Sequence, residues 1–162
     1  MRHFNVLFLC TGNSARSIMA EAIMNRRGAP NFTAFSAGSQ PAGVVRHEAL
    51  EVIRATGLGT EGFRSKSWEE FSKPGSPHLD FVFTVCDSAA KEVCPVWPGQ
   101  PMSAHWGVPD PVLVAPGTPE STRAFSQAFQ ILERRISLFL CLPWESIDKM
   151  ALQKEIDDIG KR

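Results

Sequence analysis

Short apolar runs alternate with longer amphipathic stretches along this chain, and the alternation predicts its elements. Residues 3–9, centred on Val6-Leu7-Phe8-Leu9, read as a strand buried on both faces, the pattern of a covered parallel sheet. A helix follows over about 14–27, through Ile18-Met19-Ala20-Glu21-Ala22-Ile23-Met24, and stops at Gly28 and Pro30. Phe32-Thr33-Ala34-Phe35-Ser36 predicts a second strand, with a turn from Gly38 to Gly43. A second helix fits 45–56, closed by Gly57 and Gly59, and a short one fits 65–71 with Ser67 as cap and Glu70 three residues on. The run 80–85 is a third strand that delivers Cys86 at its end. A loop rich in Pro and Gly covers 95–101, and a short fourth strand over 102–106 leads into Gly107-Val108-Pro109-Asp110-Pro111. A long amphipathic helix then spans 119–140, Pro143 breaks it, and a last helix occupies about 146–159.

Strands alternating with helices predict an α/β fold with a parallel sheet and right-handed crossovers. In such sheets the ligand lies beyond the carboxyl ends of the strands, where the strand order reverses. Cys10 ends the first strand and Cys86 ends the third. With strand order 2-1-3-4 these two strands are neighbours, roughly 5 Å apart. The two sulfurs then stand over one crevice.

Composition narrows the class without changing this picture. A chain of 162 residues, 43% hydrophobic and 21% charged, suits one compact domain, with a helical extension from about residue 144. Lys+Arg and Asp+Glu both total 17, so no charge imbalance points to nucleic acid or to a membrane surface. No apolar stretch is long enough to span a bilayer, and the start lacks the pattern of a secretory signal, so the expected location is the cytoplasm. Cys10, Cys86, Cys94 and Cys141 show no zinc-type pairing, so no metal site is expected.

The candidate chemistry begins at Cys10-Thr11-Gly12-Asn13-Ser14-Ala15-Arg16-Ser17, a strand-to-helix loop. Small residues let its backbone curl until successive N–H groups point inward, and the following helix adds unpaired donors and a partial positive charge. Residues Thr11 to Arg16 thus form a cradle for a tetrahedral oxyanion, with the Arg16 fork gripping two oxygens. The same field is expected to bring the Cys10 thiol below the usual ~8.5, with the Ser17 hydroxyl donating to its sulfur. Asp110 follows the fourth strand and can reach the same crevice to protonate a departing oxygen. Cys86 and Cys94 bracket a weakly held segment. One unbroken helix across it would hold their Cα atoms about 12 Å apart, whereas a disulfide needs less than about 7 Å. A bond between them therefore requires the segment to unwind. Cys141 lies among apolar neighbours and is expected to pack in the core, and His105 is expected to hold the acid loop.

With these residues in place, the chain resembles the low-molecular-weight protein tyrosine phosphatase superfamily, and within it the thiol-linked arsenate reductases. The resemblance runs from residue 4 to about 140. It rests on Cys10 to Ser14 with Arg16-Ser17, on Ser36-Ala37-Gly38, and on Thr84-Val85-Cys86-Asp87. Cys94-Pro95, His105-Trp106-Gly107 and Pro109-Asp110-Pro111 complete it. It implies a flavodoxin-like three-layer sandwich with helices on both faces of the sheet, and reduction of arsenate to arsenite. It also implies Cys10 as nucleophile, Arg16 and Ser17 as its supports, Asp110 as acid, and Cys86 and Cys94 as a redox pair reopened by thioredoxin or by glutaredoxin with glutathione. Members of the family also bind potassium near the positions of Asn13 and Glu21. Ala15 stands where some members carry another cysteine, and seven residues separate Cys86 from Cys94 where thioredoxin-coupled members have six. The tail after Pro143 is longer than theirs. A phosphatase working through a phospho-cysteine and a non-enzymatic redox sensor gated by a Cys10–Cys86 bond are the alternatives. The absence of tyrosine, and Val112-Leu113 after the Asp-Pro, favour a small inorganic anion over a phosphopeptide.

Overall fold

In a computed structural model, which describes residues 2–92 and 95–162, four parallel strands form one sheet. They are β1 (Phe4–Cys10), β2 (Phe32–Gly38), β3 (Phe81–Thr84) and β4 (Met102–His105). Their spatial order is β2-β1-β3-β4, the order the sequence predicts. Among the described residues five α-helices accompany them: α1 (Arg16–Arg27), α2 (His47–Ala55), α3 (Asp87–Lys91), α4 (Pro119–Leu140) and α5 (Lys149–Ile159). The register brings the carboxyl ends of the strands level. Cys10 lies opposite Gly38, Leu9 opposite Thr84, and Thr84 opposite His105. Residues far apart in the chain are gathered along one rim by that register alone.

Alternation along β1 sends Val6 and Phe8 to one face and Leu7 and Leu9 to the other, all four fully buried. The first face packs against α1, α2, α4 and α5. The second is covered more thinly, by Phe71 from a 3-10 turn at Trp68–Phe71 and by Leu79 and Trp97 from loops. Helix α4 starts with Thr118 accepting from the Ser121 N–H and with Pro119 in its first turn. It buries Phe125, Phe129, Leu132, Ile136 and Phe139, a stripe at helical spacing. The Phe139 ring stands 4.8–5.8 Å from those of Phe32, Phe81, Phe83, Trp106 and Trp144. Truncating it to alanine should cost about 3–5 kcal/mol.

Helix α5 lies in the tail after Pro143. Asp148 caps it, and Leu152, Ile156 and Ile159 are buried. It is stapled to the end of β4: Trp106 Nε1 donates to the Ile156 carbonyl at 2.9 Å, and Gly160 lies so close to the His105 carbonyl that a Cβ would collide with it. No helix of the described residues is long and apolar enough to cross a membrane.

Two elements differ from the sequence reading. The segment 87–91 is a one-turn helix, and Pro111–Leu113 forms a 3-10 turn. Cys141, expected in the core, is exposed. It follows the last residue of α4, where its N–H closes onto the Ser137 and Leu138 carbonyls and its side chain faces outward.

Candidate active site

The loop between β1 and α1 is shaped by where its carbonyls go. Thr11 O accepts from Gln40 N–H at 3.0 Å, Gly12 O from Ala42 N–H at 2.9 Å and Ser14 O from Arg46 N–H at 2.8 Å. The Ser65 hydroxyl donates to Gly12 O as well, at 3.1 Å. With the carbonyls turned outward, the N–H groups are left to face the inside of the loop. Asn13 makes the reversal possible with φ of 47°, a left-handed conformation that asparagine tolerates better than bulky residues. Its fully buried side chain donates to Ser17 Oγ at 2.8 Å and accepts from Lys66 N–H at 2.9 Å. Gly38 closes the other side. A Cβ there would collide with the Thr11 carbonyl and stand 2.9 Å from that of Cys10.

Helix α1 enters without a side-chain cap, and its first turn holds no acidic residue. Its leading N–H donors and positive end are therefore available to an anion. Arg16, at the first helical position, donates through Nη1 to the Val108 carbonyl at 2.8 Å. Its Nη2 stands 3.5 Å from Asp110 Oδ2. Asp110 is fixed in turn, because Oδ1 accepts from Val112 N–H at 3.1 Å as the cap of the 3-10 turn. Arg16 and Asp110, 94 residues apart by subtraction (110 − 16), thus share one edge of the loop.

Cys10 and Cys86 are both buried free thiols at the carboxyl ends of the neighbouring strands β1 and β3, and their ionisations are coupled. Cys86 caps α3, its sulfur accepting from Ala89 N–H at 3.4 Å, and Thr11 Oγ1 lies 3.7 Å from it. The same Thr11 hydroxyl donates to Glu92 Oε1 at 3.1 Å. The charge within the thiol pair departs from the sequence reading. Cys86 falls to about 5, first through the hydrogen bond with Cys10 and then through Ala89 N–H and Thr11, against the effect of burial. Cys10, expected to be lowered, is raised by its hydrogen bond to Cys86, by burial and by the Cys86 charge, while Arg16 and Asn13 N–H pull the other way. The first charge of the coupled pair therefore falls on Cys86 and not on Cys10.

Behind the loop lies a buried charge pair. Ser36 Oγ donates to Glu21 Oε1 at 2.6 Å, and the Lys66 ammonium stands 3.9 Å from the same oxygen. Burial raises the Glu21 carboxyl against the pull of Ser36 and Lys66, and burial lowers Lys66 against the pull of Glu21. Asn13 and Glu21, the pair expected beside a monovalent cation, already have these partners. Among the described residues no group of three or more His, Cys, Asp and Glu is arranged to hold a metal ion.

The structure thus brings Cys10, Thr11 to Arg16, Ser17, Cys86 and Asp110 to one rim, whereas Cys94 lies outside the described residues. His105, expected on the acid loop, bonds instead to Thr84 and Asp87. Lys66, Ser65 and Glu92 went unnoticed in the sequence because nothing in their local pattern signals a return to a loop 50 or more residues away.

Fold and loop together define an α/β protein that surrounds an oxyanion site with a cysteine, an arginine and an acid. The model of low molecular weight phosphotyrosine protein phosphatases matches residues 5–155, and the chain belongs to that family. An arsenate reductase of Bacillus licheniformis is 35% identical over 123 residues, 75% of this chain and 84% of that protein. Among solved structures, an arsenate reductase in its phosphate-binding state superposes with a TM-score of 0.70 at 24% identity, over 85% of this chain and 96% of the other. A low-molecular-weight tyrosine phosphatase from T. tengcongensis gives 0.65 at 25% identity, over 83% and 95%.

Proposed function

We propose that this protein reduces arsenate to arsenite through Cys10, Cys86 and Cys94. The observation that carries the reading is the burial of the Cys10 and Cys86 thiols at the carboxyl ends of neighbouring strands, beside a loop whose Thr11, Gly12 and Ser14 carbonyls bond to residues outside it. The similarity to an arsenate reductase of Bacillus licheniformis supports the choice of substrate.

Arsenate enters the loop against the N–H groups and Arg16. As the Cys10 proton passes to Cys86, the Cys10 sulfur forms a bond to arsenic, and an arsenate oxygen leaves as water with a proton from Asp110. Cys86 releases that proton to water and, with Ala89 N–H and Thr11 holding the charge of its thiolate, attacks the Cys10 sulfur. The S–As bond breaks with its electron pair going to arsenic, which leaves as As(III), and a Cys10–Cys86 disulfide remains. Cys94 then attacks the Cys86 sulfur and frees Cys10. Helix α3 is a single turn, so this step sacrifices little structure. Thioredoxin, or glutaredoxin with glutathione, reduces the resulting Cys86–Cys94 bond by two electrons. The Lys66 ammonium already supplies positive charge beside Glu21 behind the loop, so activity should not require an added monovalent cation.

The loop and Asp110 suit phosphate ester hydrolysis equally well, which makes a phosphatase the second reading. Multiple-turnover arsenite production with thioredoxin, glutaredoxin–glutathione or mycothiol, set against hydrolysis of a phosphotyrosine analogue, separates the two. Reduction that fails in Cys10→Ser, Cys86→Ser and Cys94→Ser is expected. Faster ester hydrolysis, unaffected by loss of Cys86, would replace the reductase with the phosphatase.

A further inference from the structure

His105 is the one conspicuous side chain at the rim that the relay does not use. Its Nδ1 lies 2.8 Å from Thr84 Oγ1 and its Nε2 lies 2.8 Å from Asp87 Oδ1. A carboxylate only accepts, so Nε2 carries the proton and Nδ1 accepts from the threonine hydroxyl, a tautomer assigned from the network. Thr84 stands two residues before Cys86 and Asp87 one after it. A single imidazole therefore bridges the chain on both sides of the second sulfur. The bridge has a firm footing: the next residue, Trp106, is fully buried and stacked on Phe83 with ring centroids 3.8 Å apart. Arg135 Nη1 also donates to the Gly107 carbonyl at 2.8 Å. Gly107 leaves the room the bridge needs, since a Cβ there would stand 2.6 Å from His105 Nε2 and 2.9 Å from Asp87 Oδ1.

We propose that His105 is a positioning residue for Cys86: it clamps the first residue of α3 so that the sulfur stays against Cys10 while the other end of the helix opens. The inference rests on the relay proposed above, which asks α3 to unwind toward Cys94 without letting Cys86 drift. The clamp is built for that division. It grips Asp87 at the start of α3, whereas the far end is tied through Glu92 to Thr11. Side-chain exposures of 41% for His105 and 84% for Asp87 make it a weak contributor to global stability, so its variants fold.

The test uses full-length protein with Cys94→Ser and Cys141→Ser, which isolates the first disulfide. One equivalent of arsenate is added, and arsenite release is timed. His105→Phe, Gly107→Ala and Asp87→Ala should each slow it about tenfold by letting the attacking sulfur stray. Asp87→Asn, whose Oδ1 still accepts, should restore most of the rate. Affinity for inorganic phosphate, an inert probe of the loop, should not change. Parent-like rates in both His105→Phe and Gly107→Ala, or phosphate affinity falling in step with the rate, would overturn the proposal. A second arm uses diamide, which takes up two electrons and two protons as two thiols become a disulfide. Slower Cys10–Cys86 formation in the same variants upholds the clamp even if the parent yields no arsenite, in which case the reductase reading alone fails. Unchanged diamide rates sink the clamp.

Discussion

The oxyanion loop and helix α3 face each other across the carboxyl ends of β1 and β3, and they are built in opposite ways. The loop is held from every side: its carbonyls by residues 40–46 and 65, its asparagine by Ser17 and Lys66, its flank by Gly38. Helix α3 is one turn long, buries only Ala89 within its span, and is tied down at its ends. A site that must stabilise developing charge gains from fixed dipoles, because no reorganisation is needed at the moment of reaction. A thiol that must hand its bond to another thiol needs a backbone that can let go. The contrast places the first sulfur in the tightly held loop and the second at the start of the short, thinly packed helix.

Breaking the rigid side should have the largest effects. Cys10→Ser should reduce arsenite production to background. Asp110→Asn should lower it by about 10²–10⁴, the usual worth of a positioned acid, with little change in phosphate affinity. Gly38→Ala attacks the cradle without touching a functional group. Its Cβ must displace the Thr11 carbonyl, which should cost about 1–3 kcal/mol in thermal or denaturant unfolding and weaken phosphate binding in step. A stable variant with parent-like phosphate affinity would show that the loop is softer than its hydrogen bonds indicate.

The thiol pair sharpens the comparison through pH. Cys86 is lowered to about 5, so in the reduced protein one thiolate should absorb near neutral pH and vanish as the pH falls through about 5. The lowered Cys86 contributes stability that is present in the ordinary thiol range and is lost progressively on acidification down to about 5, while the raised Cys10 withdraws stability above that range. Arsenite production should fall over the same lower limit. Absence of any thiolate signal below pH 8 would show that Cys86 is not held below the ordinary thiol range. At the small end, Cys141→Ser, at an exposed helix end away from both regions, should change stability by less than about 0.5 kcal/mol and leave turnover intact.

Much of this arrangement can be read in the chain itself, for identifiable reasons. Apolar runs and the Cys-x5-Arg spacing place Cys10 at a strand-to-helix loop, and strand order alone brings Cys86 beside it. What local pattern cannot show is the return of distant segments. Lys66 behind the loop, the Thr84–His105–Asp87 bridge and the Thr11–Glu92 bond exist only once the sheet is assembled. The charge on Cys10 is hidden for the same reason, since the loop alone favours its thiolate and only the folded neighbour, with burial, reverses that. Cys141 shows the limit of apolar context: its neighbours 138–140 lie on the last turn of a helix that ends one residue too soon to bury it.

The account's central claim is that two sulfurs from separate strands act in turn on one bound oxyanion. Peptide mapping of Cys94→Ser protein after reaction with a single equivalent of arsenate tests it most directly. The account predicts one Cys10–Cys86 disulfide and one arsenite per chain. Arsenite released with both thiols still free, or Cys10 joined to a different sulfur, would contradict it.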